Sequence, residues 1–333
     1  MTNVVVTGGA GFLGSRLARE LLAGGSLALA GGEQRRVSRL TVIDQAPVPG
    51  DLGADPRVGS VQGDLADLLD PDRGGQDQLA GADVVFHLAA AVSGECEADF
   101  DLGMRANLRA TQNLLASCRA LGTSPVVVFS SSVAAFGGSA DHPLPEVVDD
   151  QTMPNPQTSY GVQKVIGEQL VADYTRKGFV RGRTVRLMTV VVRPGRPNAA
   201  ASGFLSSILR EPLRGERATC PVAPDTAAVL ASPARTIEGL ICAATASEED
   251  WGGRSPVNLP ALSVTVAEMV SALERAAGPQ VAGLIDWTPD PAIARMMRSW
   301  PPAVLADRAA GLGLLPDADI DAVIAQHIAE TAA

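Results

Sequence analysis

Histidine and cysteine are scarce: three and four in 333 residues. His87, His142 and His327 stand far apart, so no histidine metal centre is expected, and each reads as structural or surface. Cys96, Cys118, Cys220 and Cys242 form no Cys-x-x-Cys pair, which fits reduced thiols in a cytoplasmic protein. No apolar run approaches the ~18 residues a transmembrane helix needs. The chain starts directly on a strand-like run, so no signal peptide is expected. A net charge of −10 argues against a nucleic-acid partner. Aromatics are few, and from Gly195 onward only Phe204, Trp251, Trp287 and Trp300 occur, little on which to stack a nucleobase. Apolar residues are abundant, 46% of the chain, enough for one large α/β domain with a smaller cap.

Val4-Val5-Val6 is a short β-branched run, followed at once by Thr7-Gly8-Gly9-Ala10-Gly11-Phe12-Leu13-Gly14 and then by helical apolar spacing over Ser15–Leu22. Strand, glycine turn, helix is the setting of a dinucleotide fingerprint. Gly8 would allow the tight turn, Gly11 the approach of a pyrophosphate, and Gly14 close helix–strand packing. The spacing is Gly-x-x-Gly-x-x-Gly, not the Gly-x-Gly-x-x-Gly of ordinary dehydrogenases. Arg39–Asp44 reads as the second strand, with Asp44 at its carboxyl end, where an acid accepts from ribose hydroxyls and repels a 2′-phosphate. Asp44 follows Gly14 by more than the usual ~20 residues, the excess lying in an inserted Gly24–Ser38 loop. Arg35 and Arg36 precede the strand, so NAD is preferred to NADP. A solvated acid at a strand end is the competing reading of Asp44.

Val84–Ala90 and Val126–Phe129 are continuous apolar runs, as expected of parallel strands covered on both faces. Ser130-Ser131-Ser132 then places hydroxyls at the carboxyl edge; Ser130 and Ser131 read as turn or cap residues. Asp64, after another short strand, could lie by an adenine amino group. Tyr160 and Lys164 share one face of a helix running to about Tyr174. A free phenol titrates near pH ~10, and a neighbouring cation favours the phenolate. That makes Tyr160 a candidate general acid/base, although the same spacing occurs on ordinary helices.

Together Thr7–Gly14, Asp64-Leu65, His87-Leu88-Ala89-Ala90, Asn107, Ser130–Gly137, Tyr160/Lys164 and Arg193-Pro194-Gly195 resemble the extended short-chain dehydrogenase/reductase family, which includes sugar-nucleotide epimerases. The resemblance spans essentially the whole chain. It implies a Rossmann doubly wound parallel sheet with a smaller C-terminal substrate-binding cap, and NAD as cofactor. It implies Ser132, Tyr160 and Lys164 as the catalytic set, with Asn107 as a supporting group near the lysine. Gly8, Gly11, Phe12, Leu13, Gly14, Asp44, Asp64, Leu65, Ala89, Tyr160, Lys164 and Pro194 would hold the cofactor. Phe136 stands where the family usually has tyrosine. A homodimer through the helices Arg105–Leu121 and Tyr160–Tyr174 is also implied.

The expected division is 1–193 for the cofactor domain, with 233–260 returning to the sheet, and 194–232 with 261–333 for the cap. Within the family, Val192–Ser202 and Thr288–Ile293 resemble members that oxidise the C2 hydroxyl of a four-carbon sugar acid. Three readings stay open. A small hydroxy acid is oxidised, its carboxylate held by one of Arg193, Arg196, Arg210, Arg214 or Arg217, Arg210 first, with Asn198 and Ser132 on hydroxyls. Alternatively the chain is a nucleotide-sugar epimerase with tightly bound NAD. In the third it is a redox-sensing binding module, against which Ser132, Tyr160 and Lys164 argue, because a sensor needs no base.

Overall fold

The valine run forms β1 (Thr2–Thr7), followed by helix α1 (Phe12–Gly24), in a computed structural model that describes residues 1–195 and 200–332. Contacts divide the chain into two units. Unit 1 holds residues 1–132, 159–186 and 237–257; unit 2 holds 133–158, 187–236 and 258–333.

In unit 1, β2 (Ser26–Leu27), β3 (Arg35–Asp44), β4 (Val58–Gln62), β5 (Val84–His87), β6 (Val126–Ser132) and β7 (Arg181–Leu187) join β1. The spatial order β4-β3-β1-β5-β6-β7 is the 3-2-1-4-5-6 order of a Rossmann sheet. β1, β3, β4, β5 and β6 pair in parallel. The edge beyond β7 is the short strand Val257–Asn258. Val5, Ile43, Val85 and Val127 bury one sheet face under Leu114 and Leu115 of α2 (Ala110–Leu121) and Val171 of α3 (Ser159–Arg176).

One strand differs from its sequence reading. β3 starts at Arg35 rather than Arg39, because Ser26 and Leu27 of β2 pair antiparallel with Arg36 and Arg35. Part of the expected Gly24–Ser38 loop is therefore a hairpin arm. Arg35 sits at the far end of β3 from Asp44, roughly 30 Å away at ~3.3 Å per residue.

In unit 2, β8 (Thr189–Val190) and β10 (Ala227–Ala231) pair in parallel, and β11 (Leu262–Thr265) lies antiparallel to β10; β9 (Ala218–Cys220) pairs with β12 (Ile285–Trp287). Leu205, Ile208 and Leu209 of α4 (Gly203–Leu213) share a core with Met269 and Leu273 of α5 (Val266–Ala277). Thr265 caps α5 with a reciprocal Glu268 bond, the capping box its sequence predicts. Among the described residues no helix is long and apolar enough to cross a membrane.

Candidate active site

The chain turns sharply after β1. Gly8 has φ +71°, its N–H donates to Ile43 O at 2.8 Å, and a Cβ there would meet Ala89 N at 2.7 Å. Gly14 is equally confined: its Cβ would lie 2.1 Å from Gly8 O. Only glycine lets the turn, the end of β5 and the start of α1 come this close. Gly11 occupies the N-cap of α1 without a side-chain cap, so the first-turn N–H groups beside Phe12 and Leu13 can face an anion.

A cleft of about 480 Å³ opens here, at the switch point between β1 and β5, lined by Gly8, Gly11, Asp44, Asp64, Leu65 and Ala89 among others. The Asp44 carboxylate accepts from Ala10 N and Ala46 N, both at 2.9 Å, which fixes it beside the glycine turn. Asp64 caps the helix Leu65–Leu68 through Ala66 N at 2.8 Å and accepts from Arg105 Nε at 3.0 Å.

At the carboxyl end of β6, Lys164 of α3 is buried and donates from Nζ to Ser130 O at 2.8 Å. Its ammonium lies 5.5 Å from the centre of the Tyr160 ring and 5.1 Å from that of Phe129. Burial lowers the Lys164 pKa to about 8, opposed by Cys96 and Glu168. Tyr160 and Ser132 are half-buried. Asn107 lies in a wide helical turn, Met104–Arg109, of the π type that often marks functional sites. It accepts from Ala91 N at 2.8 Å and donates to Gln163 Oε1 at 2.8 Å, thus holding the lysine's neighbour in sequence.

Other polar groups are buried in unit 1. His87 bonds Thr7 Oγ1 (2.7 Å) through one ring nitrogen and Thr111 Oγ1 (2.9 Å) through the other, and burial drops its pKa to about 3. Glu168 and Arg186 form a buried bidentate pair, both bonds at 2.8 Å. A helical Glu and a strand Arg look like solvated residues in a linear pattern; only their register against β6 exposes the pair.

The remaining sequence candidates belong to unit 2. Pro194 is exposed, and Arg193 is half-buried with Nε on Val190 O at 3.1 Å. Arg210 is 1% exposed, and its guanidinium donates to Arg193 O, Ser207 Oγ and Glu211 Oε1. Its place is internal to α4, which a sequence view of arginine as a ligand could not foresee. Arg196 and Asn198 lie outside the described residues. Among the described residues no group of three or more His, Cys, Asp or Glu side chains could hold a metal ion.

The NAD dependent epimerase/dehydratase family model matches residues 4–228. The chain belongs to this family. It is 50% identical over 332 residues to a D-erythronate dehydrogenase from Cupriavidus necator, covering 98% of both chains. It is 41% identical over 327 residues to a D-erythronate dehydrogenase from Haemophilus influenzae, again covering 98% of each. Among solved structures, a nucleoside-diphosphate-sugar epimerase from Agrobacterium tumefaciens matches with TM-score 0.88 and 40% identity, over 99% of this chain and 94% of that one. As a family member the protein is an NAD-dependent oxidoreductase. The glycine cradle fits the cofactor: removing three Cβ atoms at Gly8, Gly11 and Gly14 and leaving α1 uncapped is what a backbone-bound pyrophosphate requires.

Proposed function

We propose that the protein oxidises the C2 hydroxyl of a D-erythronate-like four-carbon sugar acid to the 2-oxo acid with NAD. The observation that carries the reaction type is the buried Lys164 ammonium, tied to Ser130 O and 5.5 Å from the Tyr160 ring. The substrate class is supported by the two D-erythronate dehydrogenases aligned along nearly the full chain.

When bound, NAD supplies the hydride acceptor. Lys164 favours the Tyr160 phenolate, which takes the proton of the substrate hydroxyl. Ser132 hydrogen-bonds the same oxygen and orients it. Asn107 keeps Gln163, and through α3 the lysine, in register. Asp44 and Asp64 address the adenosine half; Gly8, Gly11, Gly14 and the first turn of α1, Phe12 and Leu13 included, hold the phosphates, and Leu65, Ala89 and Pro194 complete the cofactor contacts. Orientation of a small polyol acid calls for charge-assisted bonds to its carboxylate, about 1.5–3 kcal/mol each. The arginines assigned to it are Arg210 and Arg193, of which Arg210 also holds Glu211 and Arg193 also gives Nε to Val190 O.

The Agrobacterium relative favours a second reading, a nucleotide-sugar epimerase. A nucleoside diphosphate needs cations for its phosphates. A hollow of about 610 Å³ in unit 2 is lined by Phe204, Pro221, Pro289, Pro291 and Ile293, and the sole charge on its lining, Asp290, caps the helix Pro291–Arg298. We also propose a cytoplasmic homodimer built on α2 and α3; Val162 and Ile166, one turn apart on α3, are 43% and 37% exposed.

The test is NAD reduction with four- to six-carbon aldonic acids, each against its amide or sugar alcohol. The reading expects turnover of D-erythronate and little with the uncharged analogues. Equal turnover of acid and amide rejects the carboxylate. Conversion of a UDP- or GDP-sugar without net NADH release replaces the reading by epimerisation.

A further inference from the structure

Tyr160, Lys164 and Glu168 follow one another at four-residue steps on α3, so they share a face. Glu168 is 1% exposed, and a buried carboxylate is costly unless paired and hydrogen-bonded. Arg186 of β7 meets it with Nε on Oε1 and Nη2 on Oε2. The Ser131 hydroxyl donates to Oε1 at 2.5 Å. One turn away, Lys164 donates to Ser130 O. Two consecutive residues at the end of β6 are thus each fastened to α3 by a side chain, and the next residue is Ser132.

A buried ion pair rarely adds stability over apolar residues of the same volume, so stability alone gives little reason for one here. Its position gives another. We propose that Glu168, anchored by Arg186, is a positioning residue that holds the Ser130–Ser132 edge in register with Tyr160 and Lys164 for the oxidation. The proposal rests on the alcohol oxidation assigned above. Glu168 acts through Ser131 on the placement of Ser132, and its negative charge one turn from Lys164 favours the ammonium against the burial that opposes it. Arg186 fixes the carboxylate in a bidentate fork, so that a single rotamer presents Oε1 to Ser131.

Two variants of the full-length enzyme separate positioning from folding. Ser131→Ala removes the clamp and leaves the ion pair intact. Glu168→Gln combined with Arg186→Gln removes both charges together, so neither is left buried and unpaired. For each, kcat, the KM values for NAD and D-erythronate, the melting temperature and hydrogen exchange of the β6 segment are measured. A reacting group misplaced by about 1 Å can cost ~10²-fold, so kcat is expected to drop by roughly 10- to 100-fold in both variants. The KM for NAD and the melting temperature of Ser131→Ala stay at wild-type values, while exchange at Ser130–Ser132 quickens. Wild-type kcat in a folded Gln/Gln variant, or in Ser131→Ala, overturns the proposal. If wild type oxidises no sugar acid, the functional reading fails by itself. Unchanged exchange at Ser130–Ser132 then overturns the clamp independently, and faster exchange supports it.

Discussion

Gly14→Ala is the sharpest probe of the cofactor cradle. The added methyl would lie 2.1 Å from Gly8 O and 2.7 Å from Gly9 Cα. Ordinary contact begins near 3.4 Å, so the interval between α1 and the turn must open by roughly 1.3 Å, the difference between 3.4 and 2.1. Both obstacles are backbone, so no rotamer relieves them. Overpacking of this kind costs about 1–3 kcal/mol, and the upper end applies where backbone must move. Alanine returns about 1 kcal/mol of helix propensity, leaving a net loss of about 2 kcal/mol. At ~2–4 °C per kcal/mol the melting temperature should fall by roughly 5 °C.

The same displacement draws the first-turn N–H groups of α1 away from the pyrophosphate. Losing one charge-assisted hydrogen bond, about 1.5–3 kcal/mol, weakens NADH by roughly 10- to 100-fold. Gly24→Ala, near the end of the same helix, meets nothing within 4 Å. It should stabilise by about 0.5 kcal/mol and leave NADH affinity unchanged. Thermal unfolding and NADH fluorescence titration read both effects. Wild-type NADH affinity in Gly14→Ala, or equal destabilisation by the two variants, would refute the cradle.

Tyr160→Phe should abolish turnover while NADH affinity stays within a few-fold, since the ring still packs but no group takes the hydroxyl proton; steady-state kinetics showing retained activity remove Tyr160 from the mechanism. Asp44→Ala should weaken NAD and narrow the gap to NADP; a wild type that uses both equally contradicts the strand-end role of Asp44, whose carboxylate is held at the turn by Ala10 and Ala46. His87 has its pKa lowered from 6.5 to about 3, by burial first and then by Lys164. The unfolded chain therefore binds a proton that the fold refuses as pH drops through this window, so stability declines with falling pH by about 1.4 kcal/mol per unit for that one group. Urea unfolding at several pH values from 6.5 down to 4 checks it; a slope that His87→Gln leaves unchanged assigns the acid sensitivity elsewhere.

What could be read from the sequence shares a physical cause. The glycine turn is visible because Gly8 and Gly14 leave no room for a Cβ, and the parallel strands are visible because both faces are buried, which makes Val4–Val6, Val84–Phe86 and Val126–Val128 continuous apolar runs. The hairpin arm at Ser26–Leu27 is two residues long, too short for any period, so β3 reads four residues short. Charge is where a linear pattern fails. Lys164, Glu168, Arg186 and Arg210 are all buried, yet the general rule places such residues on the surface. Their burial depends on partners distant in sequence or, for Arg210 and Glu211, adjacent in sequence on an interior helix. The sequence presents Lys164 because the tyrosine gives it a meaning. It is silent on Glu168, although the two stand one turn apart and bond to consecutive residues of β6. A buried charge is thus legible only when chemistry explains it, and those that register alone explains must be found in the structure. Glu168 is such a charge: its partners Arg186 and Ser131 lie 18 and 37 residues away in the sequence.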